Sequence, residues 1–300
     1  MKPNILSFGE TIWDIYDDKS FIGGAGLNFA AHCSKCGANS FLFSAVGNDE
    51  LGKKTDDIIK VLDINRNLIK HSDKMTGQCI VNLDSNGTPD FKVLQNTAYD
   101  NIIISEDDIS FINKIGFDAL YFGTLIQRAP VSRDSLIKLC KECSFKEIVC
   151  DINLRKNCYD TISAKFCLEN ATILKISEEE EPLLRELNLY HCETNSLECI
   201  CEAICTEYKQ IKYIIFTLGE RGSFVYCTEN KKYFIEKAKP VKAVSSVGAG
   251  DSFIAAWITM YLSGESVEKS TEIATRLSGF VVSKTDAIPD YIFKGGVIYA

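Results

Sequence analysis

Val244-Ser245-Ser246-Val247-Gly248-Ala249-Gly250-Asp251-Ser252-Phe253 is the stretch on which the reading of this chain turns. Two glycines sit one residue apart, an acid follows, and an apolar run occupies 253–262 before Ser263-Gly264 stops it. The run is apolar on nearly every face, which predicts a buried helix. Gly248 and Gly250 are then expected just ahead of its N-terminus. Glycine can take the positive φ values that aim successive N–H groups at one point. Those free groups and the positive end of the helix dipole make an anion site. Asp251 is the first polar side chain beyond it. A carboxylate there suits a base that takes a proton from a hydroxyl while the hole holds the developing phosphate charge. Taken alone, Asp251 serves equally well as a helix cap. The spacing is not that of a P-loop, because no lysine follows the second glycine.

The composition around this stretch is that of an ordinary globular chain, with 300 residues, 46% hydrophobic and 25% charged. A net charge of −8 with scattered basic residues argues against a nucleic-acid surface. No apolar run reaches the ~18 residues of a membrane span, and residues 1–4 lead into a short strand and not into a signal peptide. The 13 cysteines are therefore expected to be reduced thiols in a cytoplasmic protein. Cys33-x-x-Cys36 and Cys140-x-x-Cys143 have zinc-like spacing, but both lie in helix-like runs, so buried or half-buried thiols are expected instead.

Upstream, Ile5-Leu6-Ser7-Phe8 reads as a first strand ending at Gly9-Glu10. The alternation in 11–17 predicts a half-exposed strand carrying one acid, Asp14, between large apolar groups. Residues 21–31 read as a second glycine turn, Gly23-Gly24-Ala25-Gly26, running into a helix with Asn28 in its first turn. Phe29 stands where a dinucleotide fingerprint needs its third glycine, which disfavours a nicotinamide-dependent dehydrogenase. A strand over 40–46 and a helix near 51–62 follow. Residues 76–84 and 89–95 read as a hairpin around Asp84-Ser85-Asn86-Gly87, since Asn-Gly favours tight hairpins. This hairpin and the Trp13 strand do not fit a βαβ repeat. They are read as a small sheet, about 11–22 and 76–100, that covers a site as a lid. If Trp13, Ile15 and Ile80 face one way, an exposed apolar side suggests a homodimer formed through it.

From Ile102 the chain alternates strand and helix. Leu120–Gly123, Ile148–Asp151, Ile173–Ile176 and Ile214–Thr217 are short apolar strands, which predicts a parallel sheet with helices on both faces. The expectation is one α/β domain over 1–300, three-layer α/β/α with a mostly parallel sheet. Ligands of such sheets bind at the carboxyl ends of the strands. Candidates are therefore Gly123-Thr124, Asp151 to Arg155, Lys175 to Glu180, and Thr217 to Gly222.

Together these motifs resemble the ribokinase-like, or PfkB, family of sugar kinases, and within it the fructokinases. Gly248-Ala249-Gly250-Asp251, Gly23-Gly24 with Asn28, Asp151-Ile152-Asn153-Leu154-Arg155, and Thr217-Leu218-Gly219 with Gly222 carry the likeness; Leu174 to Glu180 is the fructokinase-like part. The resemblance implies that Asp251 deprotonates a sugar hydroxyl and that the backbone of Gly248, Ala249, Gly250 and Asp251 is the anion hole. It implies that Asp14, Gly23, Gly24, Asn28, Asn153 and Arg155 hold the sugar. Thr217, Gly219, Gly222 and Gly250 would line an ATP site, with Lys175 and Ser177 near phosphate, and Glu180 would help order Mg²⁺. The implied reaction is ATP-dependent phosphorylation of a primary hydroxyl, fructose to fructose 6-phosphate. Ribose, 2-keto-3-deoxygluconate, a nucleoside, or a non-catalytic sensor role are the alternatives. The family has Asp-Thr where this chain has Ser245-Ser246, and that Asp helps hold a monovalent cation, so K⁺ is put in question.

Overall fold

The computed structural model describes residues 2–83 and 89–299. The chain opens with β1 (Asn4–Phe8), β2 (Ile12–Ile15), β3 (Ser20–Gly23) and α1 (Ala25–Lys35). β4 (Asn39–Gly47), α2 (Glu50–Val61) and β5 (Ile69–Ser72) lead to the hairpin strands β6 (Gly77–Leu83) and β7 (Pro89–Val93). The expected Asp84-Ser85-Asn86-Gly87 turn lies outside the described residues. Alternation then sets in with α3 (Glu106–Ile115), β8 (Ala119–Gly123), α4 (Pro130–Glu142), β9 (Glu147–Asp151), α5 (Thr161–Asn170) and β10 (Ile173–Ser177). After α6 (Glu181–Glu186), α7 (Leu197–Glu207) and β11 (Tyr213–Thr217), the chain doubles back through β12 (Ser223–Cys227) and β13 (Lys232–Glu236). It ends with α8 (Ala249–Leu262), α9 (Val267–Val282) and the small pair β14 (Ile292–Lys294) and β15 (Val297–Tyr299).

Nine strands form the central sheet in the order β13-β12-β11-β10-β9-β8-β1-β4-β5. All neighbours run parallel except β11–β12 and β12–β13. This is the mostly parallel sheet of an α/β domain that the strand–helix alternation predicts. Strand alternation sorts the core. Leu6, Leu120, Cys150, Leu174 and Ile214 face α3, α4, α5 and α7. Ile5, Ala119, Val149, Ile173 and Ile215 face α8 and α9. The same period places Tyr121, Asp151 and Lys175 on the α8 face, two residues on from Ala119, Val149 and Ile173.

The second sheet has the order β3-β2-β6-β7. Its central pair, β2 with β6, is parallel, because β6 returns through β4, α2 and β5 instead of through a tight turn. Its strands stop at Val93; Ala98 and Tyr99, which follow, are buried in the main core. Two sequence expectations fail here. Residues 21–23 are strand and not turn, since β3 pairs antiparallel with β2. Ile12 and Trp13 are buried and not half-exposed: Trp13 is 6% exposed, and its Nε1 donates to Thr55 of α2 at 2.9 Å. Register does place Ile15 beside Ile80 on the Trp13 face, but the apolar strip expected there loses its largest member to α2. Among the described residues no helix is long and apolar enough to cross a membrane. Cys33 and Cys36 end α1 in one core cluster, while Cys140 and Cys143 end α4 in another, so the two pairs do not meet.

Candidate active site

The first turn of α8 is the centre. Gly248 is its N-cap, in the left-handed region at φ 79°. Gly250 lies inside the helix and not ahead of it, which corrects the expected placement: the helix runs back to Gly248, whose left-handed backbone cannot continue it. Gly250 is small for a different reason. A Cβ there would come within 3.0 Å of the Lys175 ammonium. First-turn N–H groups have no intrahelical partner. That of Ala249 turns back to the Ser246 carbonyl at 3.3 Å. Those of Gly250 and Asp251 remain free among the described residues, at the positive end of the dipole.

A side chain at Gly248 would meet the Ala287 carbonyl oxygen at 2.7 Å. Gly248→Ala should therefore lose at least ~1–2 kcal/mol from left-handed strain alone, together with activity. A urea midpoint and a turnover assay on the same sample check this; an unshifted midpoint would contradict it.

Asp251 is buried and accepts from Asn28 Nδ2 at 2.8 Å, across 223 residues of chain. Burial pushes its carboxyl up from the usual range, against the pull of that bond and of Lys175 and Arg155. The other Asn28 amide atom, Oδ1, is buried without a partner. Gly23 leaves space in front of it, since even a Cβ there would stand 3.8 Å away. A donor from a ligand, such as a hydroxyl, fits that gap. Gly24, at φ 98°, closes against the Glu10 carbonyl.

Lys175 and Asp151 are direct cross-strand neighbours on β10 and β9. The ammonium sits 2.8 and 2.9 Å from the two carboxylate oxygens, and both groups are buried. Burial pulls the Lys175 ammonium down, but Asp151 and Glu180 outweigh it and keep it charged.

Asp14 lies on the second sheet in one cross-strand row with Phe21, Cys79 and Val93. That apolar setting pushes its carboxyl up to about 6, while Arg155 pulls the other way. Arg155 is exposed, has no ion-pair partner among the described residues, and also acts on Glu10 and Asp251. Asn153 holds a left-handed turn at φ 40°, with Thr124 Oγ1 donating to its carbonyl at 3.3 Å. Asn28 thus touches Asp251, Lys175 and Arg155 lie near enough to act on that carboxylate, and Arg155 acts on Asp14 as well.

Ser177 and Thr217 end β10 and β11 side by side. Gly219 and Gly222 take positive φ in the following loop, where a Cβ at Gly222 would lie 1.9 Å from the Glu236 carbonyl oxygen. Glu180 makes two contacts that the sequence did not reveal. Its Oε1 accepts from the Leu154 N–H at 2.8 Å and its Oε2 from the Ser177 N–H at 2.7 Å, clamping the loops after β9 and β10. Glu10 was also missed as a site residue. It is 3% exposed, and its Oε1 accepts from the Ala25 N–H at 2.9 Å at the start of α1. Its signal was available: an acid at the carboxyl end of a buried strand, two residues past Phe8, where Asp151 likewise closes β9.

The whole length 2–292 matches the pfkB family of carbohydrate kinases. The chain belongs to that family. This PfkB kinase is accordingly a phosphotransferase acting on a sugar hydroxyl. It is 23% identical to fructokinase-2 of Oryza sativa subsp. japonica, over 96% of this chain and 91% of the relative. It is 25% identical to a 5-dehydro-2-deoxygluconokinase of Mesomycoplasma hyopneumoniae strain J, over 91% and 82%. Its fold superposes with a TM-score of 0.79 on the fructokinase of Vibrio cholerae O395 in its fructose, ADP and calcium ion bound form, at 21% identity over 95% and 94% of the two chains.

Proposed function

We propose that this PfkB kinase transfers the γ-phosphoryl group of ATP to the primary hydroxyl of a neutral sugar, fructose first among candidates. The carrying observation is Asp251, buried beside the free N–H groups of its own helix turn and held by Asn28. In this reading Asp251 takes the hydroxyl proton and the freed oxygen attacks the γ-phosphorus. The bond to the β-bridging oxygen breaks and ADP leaves. The Gly250 and Asp251 N–H groups, with the Gly248 turn and the Lys175 ammonium beside them, hold the developing charge. Asp14, Asn28 Oδ1, Asn153 and Arg155 orient the sugar; Ser177, Thr217, Gly219 and Gly222 border the nucleotide.

Among the described residues no group of three or more His, Cys, Asp or Glu forms a metal cage. Mg²⁺ does not need one, because it keeps several waters and leans on nucleotide phosphates with one or two carboxylates. Glu180 is the carboxylate for this role; its oxygens already accept from the Leu154 and Ser177 N–H groups, so it would order the ion through water, and the ion would neutralise phosphate charge. K⁺ remains outside this account, since Ser245 brings no carboxylate.

A neutral sugar is favoured by charge. Glu10, Asp14 and Asp251 face the same space as one unpaired cation, Arg155. Coupled ADP release across fructose, ribose, 2-keto-3-deoxygluconate and a nucleoside, with and without K⁺, tests this. Turnover on fructose supports it, and turnover on the sugar acid alone would replace it.

A pH dependence follows. Burial holds Asp14 up to about 6 and raises Asp251 as well. Asp251 must be ionised to take the hydroxyl proton, and Asp14 accepts from sugar hydroxyls more strongly as the carboxylate, so kcat/KM for the sugar should fall as pH drops through about 6. In Asp14→Asn the value should be lower throughout and the acid limb shallower. An unchanged limb would remove Asp14 from the titration.

A further inference from the structure

His32 lies on α1 one turn after Asn28, on the same helix face. Its ring is fully buried. Nε2 stands 2.9 Å from the Ala287 carbonyl oxygen and Nδ1 stands 2.8 Å from the Tyr291 hydroxyl. A carbonyl only accepts, so Nε2 carries the proton and donates to Ala287, while Nδ1 accepts from Tyr291. Burial drives the imidazole pKa down to about 4, so the ring is neutral near neutral pH.

Ala287 is also the wall of the Gly248 turn. A Cβ at Gly248 would meet its carbonyl oxygen at 2.7 Å and its Cα at 2.9 Å. The segment 285–291 is irregular and, among the described residues, has no backbone–backbone hydrogen bond to the rest of the chain. Its main-chain position therefore depends on side chains, and His32 supplies a buried one. Ser7 and Glu10 brace the other end of α1 through the Gly26 carbonyl and the Ala25 N–H, so the helix is a firm base.

We propose that His32 is a positioning residue for phosphoryl transfer. Through Ala287 it fixes the Gly248 turn where the phosphoryl charge is held, while Asn28 on the same face of α1 fixes Asp251. One helix thereby sets the distance between base and anion hole. The inference rests on the proposed function and extends it to a residue that touches neither sugar nor nucleotide.

The test compares His32→Leu, which removes both contacts, with His32→Gln, whose amide can still donate to Ala287 and accept from Tyr291. Kinetics are read well below each variant's melting temperature. His32→Leu should lower kcat about 10- to 100-fold, the scale of a remote misplacement of about 1 Å, with KM for the sugar unchanged. His32→Gln should recover most of it. If His32→Leu does not fold, Tyr291→Phe carries the test: it frees the ring at Nδ1, and kcat should fall several-fold with KM unmoved. A wild-type kcat in His32→Leu and Tyr291→Phe, with only the melting temperature lowered, would overturn the proposal. Asp251→Asn is run alongside. If it is inactive while His32→Leu is not, this inference alone fails; if it keeps wild-type turnover, the site reading beneath it fails.

Discussion

Asp251→Asn should keep the fold and bind sugar, yet lose turnover by about 10²- to 10⁴-fold, the usual contribution of a positioned general base. The amide has the shape of the carboxylate. Its oxygen can still accept the Asn28 bond that now spans 2.8 Å, so the sugar pocket stays formed. Stability should hold as well. Burial raises the Asp251 carboxyl pKa, which means that the fold disfavours its ionised form. Removing that charge at neutral pH relieves this cost while giving up the attraction of Lys175 and Arg155. Calorimetric sugar binding and steady-state kinetics together check the split. Turnover within a few-fold of wild type would remove Asp251 from the role of base.

Lys175→Met should be the most destabilising change at the site. It leaves Asp151, 1% exposed, as a buried carboxylate without its cation. Breaking such a pair typically costs about 3–5 kcal/mol, which in a chain of this size is a melting-temperature drop on the order of 10 °C. Replacing both partners, Lys175→Met with Asp151→Leu, should recover much of that loss, because no unpaired charge remains. Activity should not return, since the cation beside Gly250 is still missing. Thermal melts of the two single variants and the double variant give the coupling. A double variant as unstable as Lys175→Met would show that the pair is not what the fold needs there.

Much of this arrangement could be read from local pattern. The strand–helix alternation after Ile102 predicted the parallel sheet, and the rule that ligands bind at the carboxyl ends of such strands picked out Asp151 and Lys175. The apolar run after Asp251 predicted a buried helix. What the pattern could not give was pairing at long range. Asn28 and Asp251 are 223 residues apart, and His32 and Ala287 are 255 apart. Burial on the second sheet was misjudged for the same reason: Trp13 is covered by α2, which no alternation within 11–17 reports. β12 and β13 reverse direction without a helix between them, so the βα rhythm gave no warning of them. Glu180 was assigned from its motif, and its clamp on the Leu154 and Ser177 N–H groups became visible only when the loops after β9 and β10 were placed together.

The most direct test of the central claim is phosphorus NMR of the wild-type protein with ATP, Mg²⁺ and fructose. The account predicts that the γ-phosphate signal is lost as a phosphomonoester signal, split by the protons of a CH₂ group, grows in its place. That result would mark transfer to a primary hydroxyl. Release of inorganic phosphate alone, or no loss of ATP while fructose is bound, would contradict it.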